Sequence, residues 1–176
     1  MTVVYQGVEG AFSHEACLRF LPDQQAVPVA TFSEVVAAVQ SGQAEFGMLP
    51  LANSEAGETG ARQLIEKAGL HIVEEPVLPV RMHLVGLPDA TLGQIRAVVS
   101  HPIALRQCSQ ALLHLGVKTE ETSNTALAAK ALTNPNRAVL ASEAAAAIYG
   151  LTILKRDLQN QADNATTFAI LSRNAP

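Results

Sequence analysis

The chain has 176 residues, a formal net charge of −4, and 16% charged against 48% apolar side chains, which excludes a disordered polypeptide and fits one domain or two small lobes. Its Lys and Arg residues form no run, so a nucleic-acid partner is not expected. No apolar stretch reaches the roughly 18 residues of a membrane span, and the N-terminus lacks a secretory signal. We therefore expect a cytoplasmic protein without a membrane partner.

The cysteines and histidines show no metal-binding pattern. Cys17 and Cys108 each fall in a helix-like segment, and no CxxC, HExxH or clustered His/Cys motif is present. We expect two reduced, buried thiols and no metal site.

The first part of the chain alternates short strands with helices. We predict strands over 2–6, 27–30 and 45–50, the last ending at Pro50, and helices over 14–20 and from Ser33 to Gly42. Ser13 and Ser33 are the predicted N-caps of these helices. A β-α-β-α-β order is typical of a mostly parallel sheet covered by helices.

The rest of the chain repeats this alternation after a segment interrupted by Pro76 and Pro79. The predicted helices cover 58–68, 126–132, with Asn124 or Thr125 as cap, and 142–149, and a further helix follows a loop at His101-Pro102 and runs through Leu115. The predicted strands cover 70–75, 80–86, 96–100, 117–121, 138–141, 151–154 and 167–171.

The predicted fold is α/β, with two lobes of mostly parallel, helix-flanked sheets and an interlobe cleft. It resembles type II periplasmic-binding and effector-sensing domains. We place lobe 1 at residues 1–78 plus 164–176 and lobe 2 at 79–163, with the active-site cleft between them. Ligands of such sheets bind at the carboxyl ends of strands. The polar loops at 7–13, 50–57, 100–107 and 160–167 follow strands or precede the last one, so we expect one central site.

Taken singly, these loops also fit ordinary structural roles. The GxxG of residues 7–10 suits either a turn or the close approach of an anion, and it does not match a dinucleotide-binding GxGxxG. Asn53 and Ser54 suit either a capped loop or a ligand. Ser100 and His101 precede a helix, where they are either caps or groups for carboxylate binding and acid–base chemistry. The pair Thr166 and Thr167 fits strand propensity alone.

Six motifs in order, from about residue 3 to 172, resemble the prephenate dehydratase family. The family carries GxxGxFS, VPxENSxxG, SHPQAL-type, Ser-Thr/Ala-Ala, AAxxYGL and NxTRF segments. This chain has GVEGAFS (7–13), LPLANSEAG (49–57), SHPIALRQC (100–108), NTALAA (124–129), AAAIYGL (145–151) and NATTF (164–168).

The resemblance implies a lyase of phenylalanine biosynthesis that converts prephenate to phenylpyruvate, with loss of water and carbon dioxide and without a metal or organic cofactor. The family's catalytic Thr corresponds to Thr166, which we interpret as a pre-organised hydrogen-bond donor to the leaving C4 hydroxyl. The remaining expected site residues bind the substrate dianion: Gly10, Ala11, Phe12, Ser13, Asn53, Ser54, Ser100, His101, Asn164, Thr167 and Phe168.

Five positions depart from the family motifs. The Glu of ENS is Ala52, the Gln of SHPQAL is Ile103, the Arg of TRF is Thr167, and Asn160 stands where the family usually shows Asp. The family's His after the LPI segment falls at Met82, with His83 one position away. These changes keep two alternatives open. One is an arogenate dehydratase or a non-aromatising prephenate decarboxylase, and the other is a non-catalytic small-molecule binding protein of the same fold. The resemblance further implies a homodimer, and this chain is expected to lack the family's regulatory ACT domain.

Overall fold

The computed structural model describes residues 1–175, and the chain divides into two compact units. The first unit contains Met1–Pro79 and the chain from Ala165 onward, and the second contains Val80–Asn164. Both boundaries between the units were predicted one residue earlier, at 78/79 and 163/164. Within the described residues, every helix is too short or too polar to cross a membrane.

A seven-stranded mixed sheet forms the centre of the first unit. Its strands are β1 (Thr2–Gln6), β2 (Gln25–Val29), β3 (Phe46–Asn53), β4 (Gly57–Glu58), β5 (His71–Glu74), β6 (Val77–Pro79) and β12 (Ala165–Ser172). The order is β2-β1-β3-β12-β5, with β4 beside β3 and β6 beside β12. Since β12 runs antiparallel to β3, its first residues lie at the sheet edge where β1 and β3 end.

Helices cover both faces of this sheet: α1 (Phe12–Phe20), α2 (Phe32–Ser41) and α3 (Ala61–Lys67). Successive strand residues point to opposite faces, and the two core clusters follow that alternation. Tyr5, Met48 and Ile170 pack with Ala16 and Cys17 of α1. The cluster on the other face joins residues of α2 and α3 to the alternate strand positions, including Val4, Val35, Leu49, Ile65 and Leu171.

The second unit has a five-stranded sheet in the order β11-β7-β10-β8-β9. Its strands are β7 (His83–Gly86), β8 (Ala97–Ser100), β9 (Lys118–Glu121), β10 (Arg137–Ala141) and β11 (Thr152–Lys155). Its helices are α4 (Pro102–Gln107), α5 (Ser109–Leu115), α6 (Thr125–Lys130) and α7 (Glu143–Ile148), and a short 3₁₀ helix covers Leu92–Gln94.

The predicted α/β class with helix-flanked sheets is confirmed, but the sheets are less parallel than the sequence pattern indicated. Among residues 1–175, four of the ten strand pairs are parallel, namely β1–β2, β1–β3, β8–β9 and β8–β10, and the other six are antiparallel. A strand–helix–strand pattern reports only neighbours along the chain. It does not reveal that β12 inserts antiparallel between β3 and β5.

Four predicted local features were wrong. The third strand continues past Pro50 to Asn53, since Pro50 lies at an irregularity in the ladder with β12. The single helix predicted between the His101-Pro102 loop and Leu115 is broken at Cys108 into α4 and α5. Helix α1 begins at Phe12 with Ala11 as N-cap, and α2 is capped by Thr31 in a capping box with Glu34, so neither Ser13 nor Ser33 is an N-cap.

Candidate active site

In the first unit, the predicted catalytic Thr166 lies beside Asn53. The two residues are Cα partners in the β3–β12 ladder, and the Asn53 Nδ2 donates to Thr166 Oγ1 at 3.0 Å. Thr166 is buried, with 8% of its surface exposed, so its hydroxyl is held in place rather than freely hydrated. Two segments that lie far apart in the sequence are thereby joined at one edge of the sheet.

The orientation of the Asn53 side chain is fixed by backbone groups. Its Oδ1 accepts from the N–H groups of Glu55 and Ala56, both at 3.0 Å, and its Nδ2 also donates to the Ala165 carbonyl at 3.1 Å. An N–H group only donates and a carbonyl only accepts, so the amide cannot be reversed. Thr166 Oγ1 is therefore the acceptor in its bond with Asn53, which leaves its own hydrogen for a different acceptor.

A β-bulge in β3 creates this pairing. Phe168 is the partner of Pro50, but Thr167 is the partner of Ala52, so Leu51 is an additional residue on β3. In a regular ladder Thr166 would face Ala52, and the bulge brings Asn53 opposite it instead. Bulges commonly redirect a side chain in this way near functional sites.

Ser54 fixes the backbone that precedes Thr166. Its backbone N–H donates to the Ala165 carbonyl at 2.9 Å, and its Oγ accepts from the Ala165 N–H at 3.1 Å. The Ser54 side chain thus holds the start of β12, and its predicted role in substrate binding stays a prediction.

The predicted anion-binding loop at residues 7–13 uses its first amides internally. The Gly10 N–H donates to His14 Nδ1 at 3.1 Å, and the Ala11 N–H donates to the Val8 carbonyl at 3.1 Å. Helix α1 has no side-chain cap, so the N–H groups of its first turn stay available for an anion. Ser13 lies in that turn, is 8% exposed, and its hydroxyl has no partner within the described residues.

Thr166 lies on the α1 side of the sheet. It is two residues from Phe168 on β12, so both side chains point to the same face, and Phe168 packs in the core cluster with Ala16 and Cys17 of α1. Phe12 of α1 packs against the same cluster. Since Phe168 is only 1% exposed, its burial argues against direct contact with a substrate. Thr167 points to the opposite face.

In the second unit, Ser100 and His101 end β8 and are joined to Thr125, the first residue of α6. Ser100 Oγ lies 2.8 Å from Thr125 Oγ1, and the His101 N–H donates to the same Thr125 oxygen at 3.1 Å. His101 is the N-cap of α4, and its Nδ1 accepts from the Ile103 N–H at 3.2 Å. The backbone amide of His101 is therefore already used and is not available to a carboxylate.

Asn164 and Asn160 have structural partners in the second unit. Asn164 is 1% exposed, and its carbonyl accepts from the Val80 N–H at 2.8 Å. The Asn160 amide donates to the Arg106 carbonyl at 2.9 Å and to Ser109 Oγ at 3.0 Å, and its Oδ1 accepts from the Gln110 N–H at 3.1 Å. Asn160 thus bridges the break between α4 and α5, which explains the interruption at Cys108.

Two residues of these sites, His14 and Thr125, were not predicted from the sequence as site residues. Burial lowers the pKa of His14, an effect that the nearby Glu9 carboxylate opposes. Thr125 lies within the NTALAA segment but was considered only as a cap, a role that Asn124 fills through its bond to the Leu127 N–H. The spacing of four residues between Gly10 and His14 could have indicated that the two interact. No local pattern could have indicated that Thr125 bonds to Ser100 and His101.

The mixed α/β fold is similar to that of periplasmic binding proteins. The periplasmic substrate-binding protein of an ABC transporter from Coxiella burnetii aligns with a TM-score of 0.51 at 14% identity, covering 98% of this chain and 84% of that one. This confirms the predicted likeness in fold.

The whole-chain comparisons are more specific. The family model for prephenate dehydratase matches residues 3–176, so the chain belongs to the prephenate dehydratase family. "Arogenate dehydratase/prephenate dehydratase 2, chloroplastic" of Arabidopsis thaliana is 39% identical over 175 residues. The solved structure "GqqA- a novel type of quorum quenching acylases" aligns at 34% identity with a TM-score of 0.91, covering all of this chain and 65% of that one. That alignment covers 97% of this chain but only 46% of the Arabidopsis protein, so the chain spans about half the length of this relative.

Proposed function

We propose that the protein is a prephenate dehydratase, a carbon–oxygen lyase that forms phenylpyruvate in phenylalanine biosynthesis. The observation that carries the proposal is the hydroxyl of Thr166, which Asn53 orients so that its hydrogen is left for a ligand. Family membership supports the same chemistry.

The proposed reaction breaks two bonds of prephenate. The bond from the ring to its carboxylate breaks with release of carbon dioxide, and its electron pair enters the ring. The C4–oxygen bond breaks with its pair on oxygen, and a proton from solvent completes the water. Thr166 Oγ1–H donates a hydrogen bond to the departing oxygen as negative charge develops there, and Asn53 strengthens that donor by hydrogen bonding to its oxygen. A Thr hydroxyl is too weak an acid to be the proton source itself.

The substrate is a dianion, and the proposal assigns its carboxylates to the remaining polar groups. In the first unit these are the first-turn amides of α1 and the Ser13 hydroxyl, which suit an anion because the helix dipole is positive there. In the second unit they are His101 and the hydroxyl pair of Ser100 and Thr125, of which Ser100 is itself fully buried. A homodimer and a cytoplasmic location are also part of the proposal. The Arabidopsis relative is named as chloroplastic.

Arogenate is the second candidate substrate, since the Arabidopsis relative is named for both activities. Arogenate has an amino group where prephenate has a keto group, while the leaving hydroxyl and the ring carboxylate are the same. The arrangement of Asn53 and Thr166 serves either compound equally.

A product assay tests the proposal. Purified protein is incubated with prephenate or arogenate at neutral pH, where spontaneous loss of the hydroxyl is slow, and products are separated by chromatography. We expect phenylpyruvate from prephenate, whereas phenylalanine alone from arogenate would reassign the substrate. A non-aromatic keto acid would indicate a decarboxylase, and binding without turnover would indicate a non-catalytic protein.

A further inference from the structure

The imidazole of His14 is held in one orientation. Its Nδ1 accepts from the Gly10 N–H at 3.1 Å, and its ring stacks on Tyr5 with centroids 5.1 Å apart and an interplanar angle of 21°. Tyr5 is fully buried in β1, so the ring rests on a rigid surface. A side chain with two such restraints loses little further freedom when it binds a ligand.

The hydrogen bond from Gly10 also decides which ring nitrogen carries hydrogen. A backbone N–H can only donate, so Nδ1 must be unprotonated and the neutral ring carries its hydrogen on Nε2. Burial lowers the pKa of His14, which favours this neutral form. Across the described part of the chain, no protein group accepts a hydrogen bond from Nε2.

The location of His14 matches that of the proposed site in the first unit. His14 lies in the first turn of α1, which begins from the edge where β1 ends, and Thr166 lies at the same edge and on the α1 side of the sheet. The Gly10 and Ala11 amides at this position already have partners within the loop. The Nε2–H group of His14 is therefore a side-chain donor that is still available to a ligand at this position.

We infer that His14 is a substrate-binding residue whose Nε2–H donates to a carboxylate of the substrate, beside the first-turn amides of α1. This inference rests on the proposed function, because it assigns a partner to one charge of the dianion. The Gly10 bond and the stacking on Tyr5 give the donor a fixed direction before the substrate arrives. The family motif ends at Ser13, and His14 extends the site by one residue.

Two substitutions separate the roles of the two ring nitrogens. In His14→Asn, the side-chain oxygen can replace Nδ1 as acceptor for the Gly10 N–H, but the Nε2 donor is lost. In His14→Gln, the amide nitrogen reaches the position of Nε2 and can still donate. His114→Asn is the matched control, since His114 is an exposed histidine of α5 that bonds only to the Gln110 carbonyl.

Steady-state kinetics with prephenate, and calorimetric binding of prephenate, provide the readout. We expect His14→Asn to raise KM about tenfold with kcat within about twofold of the unmodified protein, because a hydrogen bond to an ionised group contributes at least that factor. We expect His14→Gln to restore most of the loss and His114→Asn to leave both constants unchanged.

An unchanged KM in a folded His14→Asn protein would overturn the inference. So would equal impairment in His14→Asn and His14→Gln together with a lower melting temperature, since that pattern describes a structural histidine. If the unmodified protein binds prephenate without turnover, the proposed function fails by itself, and a comparison of Kd between the same variants still decides the role of His14.

Discussion

Each unit contains a pair of polar side chains where a strand ends, yet the two pairs differ in what they offer a ligand. In the first unit the Asn53 amide donates to Thr166 Oγ1, so the hydroxyl hydrogen of Thr166 can donate to a ligand. In the second unit, Ser100 and Thr125 share one hydrogen bond in which either oxygen can be the donor. The hydroxyl pair also leaves one hydrogen unused, but that hydrogen can belong to either residue. The first arrangement therefore suits a directed catalytic donor, and the second suits a binding group that adapts to its ligand.

The largest expected effect comes from removing the directed donor. Thr166→Val preserves the shape of the side chain and deletes the hydroxyl, so we expect kcat to fall by about 100-fold or more, as for loss of one oriented donor to a developing charge. Thr166→Ser should retain most of the activity. Thr119→Val, at an exposed position of β9, is the control for a Thr-to-Val change within a strand. Equal rates in Thr166→Val and the unmodified protein would remove the catalytic assignment.

The second-largest expected effect is a loss of stability when Asn160 is replaced, since Asn160 supports the helices beside the Ser100–Thr125 pair. Asn160 makes three side-chain hydrogen bonds across the break between α4 and α5, the helix that His101 caps and the helix that follows it. We expect Asn160→Ala to lower the free energy of unfolding by about 2 kcal/mol, measured by urea denaturation, since several backbone and hydroxyl groups lose a partner. Asn160→Asp should cost less, because its oxygen still accepts from Gln110. A larger loss in the Asp variant would contradict this role.

Breaking the hydrogen bond between Ser100 and Thr125 should have a smaller effect on stability and on substrate binding. Thr125→Val removes the acceptor for the His101 N–H and the partner of Ser100, so we expect about 1 kcal/mol less stability and a modest rise in KM for prephenate. Thr125→Ser retains the hydroxyl and should resemble the unmodified protein in both measurements. If Thr125→Val lowered kcat as severely as Thr166→Val, the contrast drawn between the two units would be incorrect.

The smallest effect is a pH dependence in the second unit. His83 is buried, its Nδ1 accepts from the Asp157 N–H at 3.0 Å, and burial lowers its pKa although the Asp157 carboxylate opposes the shift. Below about pH 6.5 an unfolded chain takes up a proton on this residue before the folded chain does. The stability that neutral His83 contributes is thus present above that pH and is lost as the pH falls.

His83→Asn can keep the acceptor for the Asp157 N–H but cannot titrate. Urea denaturation at several pH values between 5 and 7.5, a range set by the ordinary histidine pKa, should therefore give a shallower loss of stability on acidification than in the unmodified protein. His114→Asn is again the exposed control. An identical pH dependence in all three proteins would show that His83 does not titrate differently on folding.

The sequence predicted the alternation of strands and helices and most element positions, because these depend on local propensity. The segments 50–57 and 100–107, expected as loops, are partly strand and partly helix. The bulge at Leu51 could not be predicted, since it is defined only relative to β12, more than a hundred residues away. The break at Cys108 depends in the same way on Asn160. The resemblance identified Thr166 and Asn53 separately, but the direction of the hydrogen bond between them requires the partners of Asn53.

A kinetic cycle on Asn53 and Thr166 tests the central claim most directly. In Asn53→Asp, one carboxylate oxygen can still accept from the Glu55 and Ala56 N–H groups, while the other accepts the Thr166 hydrogen and withdraws it from the substrate. The rate constant kcat is measured for Asn53→Asp, Thr166→Val, the double variant and the unmodified protein. Since Asn53 acts through the Thr166 hydroxyl, each single variant should be strongly impaired and the double variant should be no slower than Thr166→Val. Losses that multiply in the double variant would contradict the account.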